Sequence, residues 1–227
     1  MVINTAIVLA GGSGSRMNSD IPKQYIDING RPILWYSLKV MEDADFIDEI
    51  VLVTRQEDVE FCQKEIVEKY NLKKVAHIVI GGSERYLSVL NGLSAAKGEF
   101  VWIHDGARPC VTEDILLRLQ ADVQKFGATI TAVPSKDTVK IVNDGIVVDT
   151  PDRADVWLIQ TPQVFRKNQL IDAYNNMTKD NNTNITDDAM IMENYSSVKV
   201  HITMGEYTNI KVTTPEDIAN IKNYLKK

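Results

Sequence analysis

Apolar runs of strand length recur along this chain with helical patterns between them, and this alternation restricts the fold more than any other feature. The runs are Thr5–Leu9, Ile50–Thr54, His77–Ile80, Phe100–His104, Ala128–Val133, Val156–Ile159 and Val198–Thr203. Helical patterns cover Ile33–Glu42, Glu57–Lys69, Ser83–Ala96, Glu113–Phe126 and Lys167–Asn176. Such alternation predicts a Rossmann-like α/β fold, a mostly parallel sheet covered by helices on both faces. Ligands of such sheets bind beyond the carboxyl ends of the strands. Polar motifs at those ends are therefore the first candidates for a site.

Three motifs stand there. Ala10-Gly11-Gly12-Ser13-Gly14-Ser15-Arg16-Met17 follows the first run, Gly81-Gly82-Ser83-Glu84-Arg85 the third, and Asp105-Gly106-Ala107-Arg108-Pro109 the fourth. A glycine-rich turn at a strand end lets backbone N–H groups approach phosphate oxygens, and a helix start there adds favourable partial charge. A Walker-type loop is excluded because Gly14 is followed by Ser15-Arg16 and not by Lys-Ser or Lys-Thr. A dinucleotide fingerprint would need a small residue where Met17 stands, and the second strand ends Val53-Thr54-Arg55 with no acidic residue. These two features argue against a dinucleotide-binding oxidoreductase. The loop instead carries Arg16, with Lys23 seven residues on in Pro22-Lys23-Gln24. An ordinary strand-to-helix turn is the plain alternative, and the paired cations weigh against it.

Asp105 is placed where one carboxylate can meet a phosphate-bound magnesium ion, which takes few protein ligands. A turn-forming Asp before Gly106 is the competing reading, and Arg108 could pair with Asp105 or close the turn. The Gly81-Gly82-Ser83 turn can face a base edge, with Ser88 on the helix that follows. Ser83 could equally be the N-cap of that helix. Lys211, in Asn209-Ile210-Lys211, would be a further cleft cation if the strand before it joins the sheet nearby; otherwise it is a solvated lysine. His104 could orient Asp105, while His77 and His201 read as structural. Asp187 and Asp188 read as carboxylates at a helix start. No nucleophile pattern stands out, and phosphoryl or nucleotidyl transfer needs none, because positioning and charge stabilisation carry it.

The chain has 227 residues, within the range of one large α/β domain, with 44% hydrophobic and 25% charged residues. Its net charge of −6 argues against nucleic acid as a partner. No apolar run approaches the length of a membrane span, and the N-terminus lacks the pattern of a cleaved leader, so a cytoplasmic protein without a membrane partner is expected. Cys62 and Cys110 suggest neither a disulfide framework nor a zinc site. Thr138–Val142 and Ile146–Thr150, joined through Asn143-Asp144-Gly145, read as a β-hairpin interrupting the alternation. It either projects toward a partner or packs on its own domain. The Asn-rich stretch Thr178–Asn184 reads as a loop. Thr214-Pro215 with Asp217 marks the start of a last helix.

Taken together, Ala10–Met17, Pro22-Lys23-Gln24, Gly81–Arg85 with Ser88-Val89, His104–Pro109, Lys136–Lys140, Gln160–Gln163, Thr186–Asp188 and Asn209–Thr213 resemble the cytidylyltransferases of the isoprenoid pathway over nearly the whole chain. The resemblance implies a single nucleotidyltransferase domain over residues 1–227, with residues 137–155 as an inserted β-arm. It implies condensation of CTP with 2-C-methyl-D-erythritol 4-phosphate, with release of pyrophosphate and a requirement for Mg2+. By motif, Arg16, Lys23 and Lys211 would be catalytic. Ala10, Gly11, Gly12, Gly82, Ser83, Ser88, Asp105 and Gly106 would hold the nucleotide, with Asp105 also on the metal. Arg108, Thr138 and Arg153 would hold the second substrate, the last two reaching a neighbour's site through the arm of a homodimer. The form of the opening loop also suits the related ribitol 5-phosphate enzymes. Glu84-Arg85, Asp137–Lys140 and Asp152-Arg153 followed by Trp157 resemble the methylerythritol branch.

Overall fold

The computed structural model describes residues 3–12, 21–180 and 185–225. Its central sheet contains β1 (Asn4–Leu9), β4 (Glu49–Thr54), β5 (Val75–Ile80), β6 (Phe100–Asp105), β7 (Ala128–Pro134), β10 (Trp157–Arg166) and β11 (His201–Met204). The order is β11-β7-β10-β6-β1-β4-β5. All neighbours pair in parallel except β10, which is antiparallel to both β6 and β7. The expected mostly parallel sheet is therefore present. Two short ladders lie apart from it: β2 (Asp27–Ile28) with β3 (Arg31–Pro32), and β8 (Ile141–Asn143) with β9 (Ile146–Asp149).

Alternation along the buried strands assigns each side chain to one of two cores. From β1, Ala6 and Val8 face α1 (Ile33–Asp43) and α4 (Glu113–Phe126), where they join Leu34, Leu38, Leu116 and Leu119. Ile7 faces the other way, onto Val89 and Leu93 of α3 (Arg85–Ala95) and Tyr174 of α5 (Lys167–Asp180). The second layer also includes α6 (Asp188–Tyr195), whose Ala189, Ile191 and Met192 are buried. A third cluster seats α7 (Pro215–Tyr224) through Ile221 against Val212, Ile33 and Cys110.

Several boundaries differ from the expectations. Residues expected as one helix over 57–69 form a 3₁₀ turn, the short α2 (Val59–Phe61) and a π-helical stretch over Cys62–Glu68. The strand expected over Val156–Ile159 continues to Arg166, passing the cis Thr161–Pro162 bond with a register shift between Ile159 and Gln163. The strand expected from Val198 starts only at His201, because Val198 and Val200 pack on the second core without joining the ladder. Thr178–Asp180 extend α5 and are not loop; Asn181–Asn184 lie outside the described residues. The hairpin is present, with Asp144 and Gly145 at φ 47° and 79° in its two-residue turn. Asp217 accepts from the backbone N–H groups of Thr213 and Thr214 at 2.8 and 2.9 Å and so closes the start of α7.

Strand β1 lies between β4, which continues to β5, and β6, which leads to the other half of the sheet. At that switch point two connections diverge and leave a crevice beyond the strand ends. The three motif-bearing turns leave β1, β5 and β6 at this edge.

Candidate active site

Backbone hydrogen bonds fix the three turns to one another. The N–H of Ala10 donates to Val53 O at 2.7 Å, that of Gly81 to Thr54 O at 2.8 Å, and that of Gly106 to Leu9 O at 2.8 Å. An open cleft of about 410 Å³ lies above them, lined by Ala10, Gly11, Gly12, Lys23, Gln24, Gly82–Arg85, Ser88, Asp105 and Lys211, among others. Most of the expected site thus converges. Arg16 lies outside the described residues.

Glycine is needed where the second turn closes on its own helix. A Cβ on Gly82 would fall 2.3 Å from Leu87 Cβ, and one on Gly81 would fall 2.7 Å from Ser88 Oγ. Ser88 accepts from the N–H of Gly82 at 3.0 Å and so fixes the turn from within α3. Ser83 is not the helix cap: Glu84 occupies that position and its side chain makes no capping bond. Ser83 stands exposed on the cleft wall. Gly106 also departs from expectation. It does not line the cleft, and a Cβ there would fall 2.9 Å from Leu9 O and 2.8 Å from Leu34 Cδ1. Its place is close packing between β1 and α1.

The cations are tied together. Lys23 Nζ donates to Val212 O at 2.9 Å, and Val212 N–H donates to Ala107 O at 2.8 Å. Lys211, the residue before, makes a 2.8 Å ion pair with Asp105 Oδ2. The half-buried Lys211 is therefore not a solvated lysine. Beside Lys23, the buried Gln24 donates to Ala10 O at 2.7 Å and connects the first turn to the segment that bears Lys23.

Asp105 is buried, and burial alone would raise its pKa. The charges of Arg85, Lys211 and Arg108 outweigh that and hold the carboxyl well below its ordinary range. Arg85 Nε and Arg108 Nε stand 3.8 and 3.9 Å from its two oxygens. Arg108 does not line the cleft; its terminal nitrogens donate to Asn209 O at 2.7 Å and Ile159 O at 3.3 Å. Arg85 NH2 meets Asp188 Oδ2 at 2.7 Å, and Tyr174 donates to Asp188 Oδ1 at 2.6 Å. Asp187 is the helix-start residue expected, accepting from Met190 N–H at 3.0 Å, whereas Asp188 is fully buried in this network.

His104 does orient this corner. Thr161 Oγ1 accepts from the Asp105 N–H at 3.0 Å, so its own hydroxyl hydrogen is free to donate to His104 Nδ1, 3.1 Å away. The ring proton then sits on Nε2, which faces Arg108 O at 3.3 Å. Burial lowers the His104 pKa to about 4, which keeps the ring neutral. The rest of the Gln160–Gln163 segment is a brace. Gln160 donates to Glu206 O and accepts from Asn209, while Gln163 donates to Asp187 and accepts from Ala189 N–H.

Thr138 and Arg153 are not brought to this cleft. Both are exposed near the hairpin, and among the described residues Arg153 reaches Lys136 O at 3.5 Å. Among the described residues, no group of three or more His, Cys, Asp or Glu side chains could hold a metal ion. A metal at Asp105 would need most of its ligands from phosphate oxygens and water. That is how magnesium is commonly held at nucleotide sites, and an ionised carboxylate at the cleft floor suits it. Sequence reasoning did not assign Gln24, Arg85, Thr161 or Asp188 to the site. Each belonged to a quoted motif, which was the available signal.

Residues 4–227 match the family model described as IspD, 2-C-methyl-D-erythritol 4-phosphate cytidylyltransferase. The chain is 46% identical over 216 residues to the protein of that name from Lachnoclostridium phytofermentans, covering 94% of this chain and 92% of the relative. It is 45% identical over 228 residues to the one from Lachnospira eligens, covering 99% and 100%. The crystal structure of 4-diphosphocytidyl-2C-methyl-D-erythritol synthase from Anaerococcus prevotii superposes with a TM-score of 0.86 at 38% identity, covering 100% and 99% of the two chains. The 2-C-methyl-D-erythritol 4-phosphate cytidylyltransferase of Francisella tularensis gives 0.82 at 32%, covering 98% and 99%. With a match that spans all three cleft-forming turns and the brace beneath them, this chain belongs to the 2-C-methyl-D-erythritol 4-phosphate cytidylyltransferase family.

Proposed function

We propose that this nucleotidyltransferase condenses CTP with 2-C-methyl-D-erythritol 4-phosphate to give 4-diphosphocytidyl-2-C-methyl-D-erythritol and pyrophosphate. The observation that carries the reading is the meeting of Lys23, Lys211 and an ionised Asp105 beneath two glycine turns at the switch point of the sheet. An oxygen of the acceptor phosphate attacks the α-phosphorus of CTP in line. A new P–O bond forms as the bond to the bridging α,β-oxygen breaks, and pyrophosphate leaves with that electron pair. The acceptor is the nucleophile, and no side chain need become covalently attached.

The backbone N–H groups of Gly11 and Gly12 and the ammonium groups of Lys23 and Lys211 would stabilise charge that grows on the phosphate oxygens. Arg16, from the same loop, would join them. Gly82, Ser83 and Ser88 would frame the base and ribose. Asp105 would hold Mg2+, which when bound offsets triphosphate charge and supports the leaving group. The low pKa of Asp105 keeps its carboxylate ionised at neutral pH. Arg108, whose terminal nitrogens are held by the carbonyls of Asn209 and Ile159, would act on the site through its charge beside Asp105.

The second substrate is completed from a neighbour in this reading. Thr138 and Arg153 lie away from their own cleft, and the hairpin presents Val142, Ile146, Val147 and Val148 to solvent, each more than half exposed. Apolar exposure of this kind suits an interface, here a homodimer through the arm. The deciding assay is pyrophosphate release with CTP and Mg2+, comparing 2-C-methyl-D-erythritol 4-phosphate with ribitol 5-phosphate. Release with the first alone is expected. Release with the second alone would leave the nucleotide chemistry standing and overturn the acceptor.

A further inference from the structure

Among the described residues, Asp105 has three cations within 4 Å, and of these only Lys211 makes a close pair with it. The reason lies at the far ends of the two arginines. Arg108 spends its terminal nitrogens on the carbonyls of Asn209 and Ile159, and its buried Nε has no hydrogen-bond partner among the described residues. Arg85 spends NH2 on Asp188, which leaves Nε 3.8 Å from Asp105 Oδ1, too far for a hydrogen bond. An untethered guanidinium beside a carboxylate would close on it through two parallel N–H···O bonds. Asp105 would then be capped on the edge it presents to ligands.

We propose that Asp188 is a positioning residue, which tethers the Arg85 guanidinium so that Asp105 feels its charge but stays open to a divalent cation on the nucleotide. This rests on the reading of Asp105 given above. Asp188 suits the task because it is fixed twice over. It opens α6, which Gln163 holds from β10 through Ala189 N–H at 3.1 Å, and its other oxygen accepts from the buried Tyr174 on α5 at 2.6 Å. Asp188 is 0% exposed and does not itself line the cleft, and among the described residues its ion pair is with the cleft-lining Arg85. Its influence on the reaction therefore runs through that side chain.

The test compares the full-length wild type with Asp188→Asn, Tyr174→Phe and the double variant Arg85→Gln/Asp188→Asn. Binding of Mn2+ to the protein with CTP, read from the loss of the free-ion paramagnetic resonance signal, reports on the cation without turnover. Asp188→Asn is expected to weaken Mn2+ binding by about 10-fold and to raise the Mg2+ needed for half-maximal rate by a similar factor, as loss of a residue supporting a ligand does. KM for the acceptor should stay within about 3-fold, since the residue does not touch that substrate. Removing the freed guanidinium in the double variant should bring Mn2+ affinity back to within about 3-fold of wild type, a coupling that independent sites do not show. Tyr174→Phe, which loses only a hydroxyl, should shift Mn2+ affinity in the same direction by less and provides the comparison if Asp188→Asn does not fold. Unchanged Mn2+ affinity in a folded Asp188→Asn or in Tyr174→Phe overturns the proposal. So does a double variant weaker than the single one, which is the pattern of a purely structural pair. Failure of wild type to release pyrophosphate with either acceptor would refute the proposed reaction, while the Mn2+ comparison would still decide this inference.

Discussion

At the scale of single residues, the proposed roles set a cation meant for the ligand against a neutral group that holds the fold. Lys23 is half-buried at the cleft, and its ammonium group donates to the backbone carbonyl of Val212. Lys23→Ala should therefore cost under about 1 kcal/mol of stability yet lower kcat by about 100-fold, the scale of losing one donor to a charged transition state. Chemical denaturation and pyrophosphate release, measured on the same preparation, check this; parallel losses would remove Lys23 from the reaction. His104 gives the opposite case, a buried group whose protonation state belongs to the fold. Its pKa is depressed to about 4, so between there and the ordinary value of 6.5 the unfolded chain binds a proton that the folded chain refuses. Its contribution is fully present above pH 6.5 and is lost as pH falls toward 4, by about 2 kcal/mol at pH 5. His104→Gln cannot titrate. Urea unfolding at pH 7 and pH 5 should show wild type losing about that much more than the variant, and equal losses would mean that the ring is not held neutral.

At the scale of elements, glycine marks where helix and sheet come closest. A Cβ on Gly92 of α3 would fall 2.6 Å from Ile7 Cγ2 and 3.2 Å from Val53 Cγ2, both in the second core. Gly92→Ala gains up to about 1 kcal/mol of helix propensity but overpacks this contact at a cost of about 1–3 kcal/mol. The steric term should win, and a lowered thermal midpoint would show it. The same elements show how far a sequence can be read. The buried strands β1, β4 and β6 were legible because parallel strands covered on both faces are continuous apolar runs. The second half of β10 was not, because Pro162 has no N–H to offer a ladder and reads as an end. The start of α6 was legible in Asp187 and Asp188, but its extent was not, because it is only eight residues long and follows an Asn-rich stretch. Asp105 could be picked out by type and position at a strand end, and Lys23 by its place in Pro22-Lys23-Gln24, seven residues after Arg16. The Arg85–Asp188 pair could not, because nothing local to either residue states that the start of α6 comes within 2.7 Å of the start of α3.

At the scale of the whole molecule, one chain supplies the cleft proposed for the nucleotide, while Thr138 and Arg153, two of the residues expected on the acceptor, stand near the exposed hairpin. If each site combines a cleft from one subunit with an arm from its neighbour, two inactive variants can repair one another. Lys23→Ala removes a cleft group and Arg153→Ala an arm group, and each homodimer should be nearly silent. When both chains are coexpressed and purified together, random pairing makes about half of the dimers mixed. In a mixed dimer one site carries both substitutions and the other carries neither. About one quarter of wild-type activity should therefore return per total protein, a yield set by symmetry and independent of how much each group contributes. Mixed dimers isolated with two different affinity tags should show about half of wild-type activity, one intact site in two. Were Arg153 to act within its own chain, every site of a mixed dimer would carry one defect, and activity would stay at the level of the homodimers. Recovery in the tagged mixed dimer thus distinguishes an arm that completes the neighbour's site from one that serves its own.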